Sequence, residues 1–112
     1  MQYLLTTTCR VDQSRSRDFF AEVQQWEEEA MASPHAPLDH AVYIDRVDPT
    51  KSLVLTRFDS KETADAFLAT GLHEQFRQRL LMCATDVSDS DSYDLFYAAD
   101  SSGHTVIYGE GV

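Results

Sequence analysis

Apolar and polar positions change their period several times along this chain, and each change marks an element. From Tyr3 to Val11 the pattern alternates strictly, with Tyr3, Leu5, Thr7, Cys9 and Val11 on one face, which predicts a strand. Residues Asp12 to Arg17 break that pattern, and either Ser14 or Ser16 offers an N-cap for a helix. From about Arg17 to Ala32 the period becomes helical. Phe19, Val23, Trp26 and Ala30 form one stripe, widened by Phe20 and Met31. Gln24, Gln25, Glu28 and Glu29 lie outside it, whereas Glu27 falls inside the apolar arc, between Val23 and Phe20. Ser33-Pro34 stops the helix and Pro37 keeps the connection extended.

The next two apolar runs, LDHAVYIDRV and SLVLTRF, are separated by DPTK, where Asp48 and Pro49 suit a turn, so they predict a hairpin. Ser60 caps a helix with Glu62 in its first turn, and Gly71 breaks it. A short helix comes next, carrying Leu72, Phe76, Leu80 and Cys83 on one side. DVSDSDS reads as a solvated acidic linker, YDLFYAA as a strand, Asp100 to Gly103 as a turn, and HTVIYGEGV as a final strand or arm. The order β-α-β-β-α-β plus a C-terminal strand is the ferredoxin-like split βαβ, an α+β fold. Both faces of the hairpin are apolar, yet the chain has helices for only one face of the sheet. A second copy is therefore expected to cover the other, giving a homodimer.

A length of 112 residues suits a single domain over 1–112, and 43% hydrophobic residues is too many for a disordered chain. The 9 basic residues against 19 acidic ones leave a net charge of −10, which repels phosphate backbones and anionic lipid. Nucleic acid and membrane are thus not expected partners. The absence of a long apolar span and of a basic-then-apolar N-terminus points to a cytoplasmic protein. Cys9 and Cys83 stand alone and read as reduced core residues.

The stretch HAVYIDRVDPTKSLVLTRFDSKETADAFLATGLHEQF resembles the dimeric α/β-barrel superfamily, and within it the antibiotic biosynthesis monooxygenase-like proteins. The shared pattern is a strand, a short Asp-Pro turn, a strand ending in an aromatic, a Ser-x-Glu helix start, and a helix end containing His and Phe. It spans about Asp39 to Phe76. Phe58 stands where many members have tryptophan, and Phe67 near a position where many have histidine. Haem-degrading relatives use an Asn, Trp and His set that this chain lacks, so haem degradation is not carried over. The resemblance implies a monooxygenase that needs no cofactor and acts on a small electron-rich aromatic such as a phenol, quinol or anthrone. Such a substrate reacts with oxygen once deprotonated. The protein then supplies an apolar pocket, orienting hydrogen bonds and a base.

His73 and His40 are the candidate bases, because neutral imidazole accepts a proton near neutral pH. The structural alternatives are an exposed histidine at a helix start for His73, and a packed or dimer-interface ring for His40. Glu27 is a third catalytic candidate: a carboxylate in an apolar arc must be paired, protonated or facing a cavity, with Arg46, Arg57 or Arg79 as possible partners. Tyr43, with Asp45 on the same strand face, is a candidate for holding substrate. Phe19, Val23, Phe58, Phe67 and Phe76 are candidates for a pocket wall, with ordinary core packing as the alternative. No metal-binding spacing, glycine-rich phosphate loop or nucleophile elbow occurs. A non-catalytic dimeric ligand-binding or assembly module, and an isomerase or lyase on the same scaffold, remain competing readings.

Overall fold

The computed structural model describes residues 1–95, 97–103 and 105–107. The elements run β1 (Tyr3–Arg10), a 3-10 turn (Gln13–Arg15), α1 (Ser16–Met31), β2 (Asp39–Ile44), β3 (Lys51–Phe58), α2 (Lys61–Ala69), α3 (Leu72–Leu80) and β4 (Thr85–Asp94). A small hairpin of β5 (Tyr97–Ala99) and β6 (Thr105–Ile107) completes the order. The main sheet is antiparallel with the order β2-β3-β1-β4, the ferredoxin-like arrangement expected from the element order. The expected final arm has Thr105–Ile107 as its strand; His104 and residues 108–112 lie outside the described residues, as does Phe96 of the preceding run.

The helices cover one sheet face. Leu5, Cys9, Val54 and Phe58 from the strands pack with Phe19, Val23, Trp26 and Ala30 of α1 and with Phe67, Phe76 and Leu80 of α2 and α3. The opposite face carries rows set by the register, Tyr43–Leu53–Thr8 and Ala41–Leu55–Thr6, beside the Asp39–Arg57 ion pair. Leu53, Leu55 and Ala41 are half-buried there, and Tyr43 is 59% exposed.

Four local expectations change. Neither Ser14 nor Ser16 caps α1. Asp12 instead accepts the Ser14 N–H at 2.9 Å and starts the 3-10 turn, and α1 grows directly out of that turn. Phe20, 59% exposed, and Met31 do not widen the buried stripe, because that side of α1 overhangs the β2 edge of the sheet. Glu27 is exposed for the same reason. Finally, DVSDSDS is not a linker. It forms most of β4, hydrogen-bonded along β1. A strand bordering a well-formed partner gains its ladder bonds whatever its own propensity.

Ser60 caps α2 as expected, accepting the Thr63 N–H at 3.1 Å. Gly71 turns the chain between α2 and α3 with φ of 82°, a left-handed conformation that a side chain would strain. That turn swings the start of α3 inward.

The hairpin turn is held by two aspartates. Asp45 accepts the N–H groups of Val47 and Asp48, each at 2.8 Å. Asp48 accepts the Thr50 hydroxyl at 2.6 Å and the Arg10 guanidinium at 2.9 Å. The Thr50 hydroxyl first, and Arg10 second, hold the Asp48 carboxyl down to about 2 from the ordinary 3.8. A carboxyl with a depressed folded-state pKa stabilises the fold above its unfolded value and loses that contribution as pH falls through the folded one. Melting temperature should therefore fall between about pH 4 and pH 2 partly through this turn. Asp48→Asn should flatten that limb relative to wild type. Parallel acid limbs in thermal melts of the two proteins would show that the turn contributes nothing.

Candidate active site

Alternation along β2 sends His40, Val42 and Ile44 toward α1, and Asp39, Ala41 and Tyr43 to the other face. His40 meets the edge of Trp26, with ring centroids 5.1 Å apart and planes at 85°. Its Nε2 lies 3.6 Å from a Glu27 carboxylate oxygen, an ion-pair distance longer than a hydrogen bond. A carboxylate on that side favours the tautomer with the proton on Nε2 and leaves Nδ1 as the basic atom. Nδ1 is buried and has no hydrogen-bond partner among the described residues; the same holds for the indole N–H of Trp26, a residue only 1% exposed. A proton acceptor and a hydrogen-bond donor thus sit on adjoining rings.

His73 also proves buried, at 4% exposure, rather than an exposed residue at a helix start. Its ring lies 6.3 Å from Phe76, and Phe76 lies 5.3 Å from Trp26. The two histidines therefore stand at opposite ends of one aromatic column, His40–Trp26–Phe76–His73. Phe67 packs on Trp26 at 6.3 Å and Phe58 on Phe67 at 5.5 Å. Phe58, Phe67 and Phe76 are fully buried, and Val23 nearly so; they make up the core with which the column is continuous.

A cavity of about 500 Å³ opens between the first half of α1 and the ends of β2 and β3. Of the expected wall residues, Phe19 lines it; the others that do include Phe20, Val42, Ile44 and Val11, with Arg17, Gln24 and Ser52 as polar points. Val42 is the next residue after His40 on the same strand face, and Gln24 lies one helical turn before Glu27. The His40–Glu27 pair therefore sits one step along both elements from the cavity lining, roughly 7 Å by strand rise. Tyr43 does not join this group. It lines a second cavity of about 400 Å³ on the open sheet face, together with Asp45, Lys51 and Leu53. Asp45 is a poor base there, since the Asp48 and Val47 N–H groups hold its carboxyl below the usual range.

Glu27 is not paired with an arginine. Arg79 instead holds Glu22 at 2.7 Å and approaches Glu29 at 3.9 Å. The half-buried Glu22–Arg79 pair bridges α1 and α3. Its sequence signal is that Glu22 and Glu29, seven residues apart, flank the buried stripe on the α3 side. Both cysteines are buried and free; burial first, and Cys83 second, push the Cys9 thiol up to about 11, so it is no nucleophile near neutrality. Among the described residues no group of three His, Cys, Asp or Glu side chains is placed to hold a metal ion, and no helix is long and apolar enough to cross a membrane.

No family model matches the chain, and no curated protein matches it in sequence. Solved structures match its fold. A putative antibiotic biosynthesis monooxygenase from Deinococcus radiodurans aligns with a TM-score of 0.71 at 15% identity, over 88% of this chain and 96% of its own. Another, from Bordetella bronchiseptica, gives 0.69 at 14% identity over 84% and 96%. SnoaB from Streptomyces nogalater, a cofactor-independent oxygenase, gives 0.67 at 9% identity over 84% and 92%. The chain thus has the ferredoxin-like α+β fold of the antibiotic biosynthesis monooxygenase-type structures, as its sequence resemblance implied.

Proposed function

We propose that this protein is a cofactor-free monooxygenase of a small aromatic substrate, with His40 as the general base. The observation that carries this reading is the Nδ1 of His40, buried with no hydrogen-bond partner among the described residues, on a ring that packs against Trp26 one strand step from a mainly apolar cavity. The fold likeness to an oxygenase of this kind supports it. In the reaction, Nδ1 takes a proton from a phenol, quinol or anthrone-like carbon acid. The resulting anion passes an electron to dioxygen, and the radical pair combines as a peroxide. For an anthrone-type methylene, collapse gives a carbonyl that retains one oxygen atom, while the other leaves as water with both hydrogens. The Trp26 N–H is suited to stabilise the anion on substrate oxygen. His73, at the far end of the aromatic column, is the second candidate base.

A panel of phenols, quinols and anthrones followed by oxygen electrode and mass spectrometry tests this. Oxygen uptake with one added oxygen atom in the product supports the proposal. Product formed without oxygen would make the protein an isomerase or lyase. Failure to consume or bind any member would leave an assembly module.

One observation favours assembly alongside catalysis: the open sheet face with Leu53, Leu55, Ala41 and exposed Tyr43. Two such faces packed together would form a homodimer. Light scattering after gel filtration should give twice the chain mass of 12.7 kDa. A monomer at micromolar concentration would exclude it.

A further inference from the structure

We infer that the cavity between α1 and the β2–β3 hairpin takes an aromatic ligand bearing a single carboxylate, with Arg17 as the partner of that anion. The chain carries 19 acidic residues, yet among the described residues none lines this cavity. The one ionic side chain that does is Arg17, at the start of α1.

Arg17 is one of three basic residues, with Arg46 and Lys51, that hold no carboxylate among the described residues, and of the three it is the one that lines this cavity. Arg10, Arg15, Arg57, Lys61, Arg77 and Arg79 each hold a carboxylate. Among the described residues Arg17 makes no ion pair, and its neighbour Asp18 is taken by Arg15 at 2.8 Å. A guanidinium beside an apolar cavity, with the nearby acid already engaged, is complementary to a planar ring ending in a carboxylate, which it can bind through two parallel hydrogen bonds. Phe19, Phe20, Val42 and Ile44 supply the surface for the ring. At about 500 Å³ the cavity lies within the range of roughly 300–1,000 Å³ that holds small organic ligands. The overall charge of −10 counts against ligands of higher negative charge, so one carboxylate is the limit the electrostatics favour.

This inference rests on the proposed function only in taking the cavity as the substrate site. It is tested without turnover. Calorimetry at low salt would compare a hydroxynaphthoate with the matching neutral hydroxynaphthamide. Wild type should bind the carboxylate about tenfold more tightly than the amide, a margin between those of exposed and desolvated charge pairs. Added salt should narrow that margin. Arg17→Gln should erase it while leaving amide binding unchanged, and Arg17→Lys should restore part of it. Arg17 is exposed, so neither change endangers folding. Equal binding of the two compounds, or a preference that survives Arg17→Gln, overturns the role of Arg17 and leaves the oxygenase proposal standing. Binding of neither overturns both this inference and the cavity as substrate site.

Discussion

Replacing His40 with alanine should slow oxygen-dependent turnover of a responsive aromatic about 10²–10⁴-fold, the range for loss of a general base. The expectation comes from geometry. Glu27 faces Nε2 at 3.6 Å, Trp26 packs against the ring, and Nδ1 is left buried and without a hydrogen-bond partner among the described residues. Glu27→Gln should give a smaller loss, because it weakens the orientation of the ring without removing it. It should cost little stability, since the Glu27 side chain is 53% exposed and no buried charge is stranded. His73→Ala serves as the parallel measurement, with circular dichroism and melting curves verifying the fold, as this histidine is packed among core rings. If neither histidine replacement slows turnover tenfold, histidine catalysis is wrong.

Phe67→Ala should lower unfolding free energy by about 3–5 kcal/mol, the usual cost of emptying a core aromatic position. Phe67 is fully buried and touches both Trp26 and Phe58. Phe20→Ala makes the contrast, for Phe20 is exposed on the protein surface yet lines the cavity. It should barely move the melting temperature and should weaken binding of aromatic ligands. A Phe67→Ala protein that melts like wild type would return Phe67 to the role of pocket wall.

Much of the fold was legible because period and punctuation agreed. Alternation from Tyr3 onward, the Phe19–Val23–Trp26–Ala30 stripe, the turn around Pro49, the Ser60 cap and the Gly71 break all stand where the residues imply. What escaped the sequence depends on neighbours. β4 is a strand because β1 lies beside it, and no pattern within DVSDSDS says so. The arc containing Phe20 and Glu27 looks buried on an isolated wheel. Only the position of α1 over the outer strand β2 leaves its flank open. The candidate site was legible in part. Parity along β2 already separates His40 from Tyr43, three residues on. The meeting of His40 with Trp26, and of Glu22 with Arg79, requires the packing of distant segments.

The composition of β4 has a consequence for how the protein behaves when crowded. Its outer edge is the last of the described sheet, and its ten residues include four aspartates and few strongly β-forming side chains. An unpaired edge of apolar, β-branched residues is a template on which other chains can add and aggregate. A strand with four aspartates in ten residues lacks that apolar, β-branched composition, while the ladder to β1 still holds it in place. The same choice of residues that hides β4 from a propensity reading therefore works against edge-to-edge addition of other strands. Changing those aspartates to valine would make the strand easier to recognise and the protein harder to keep in solution.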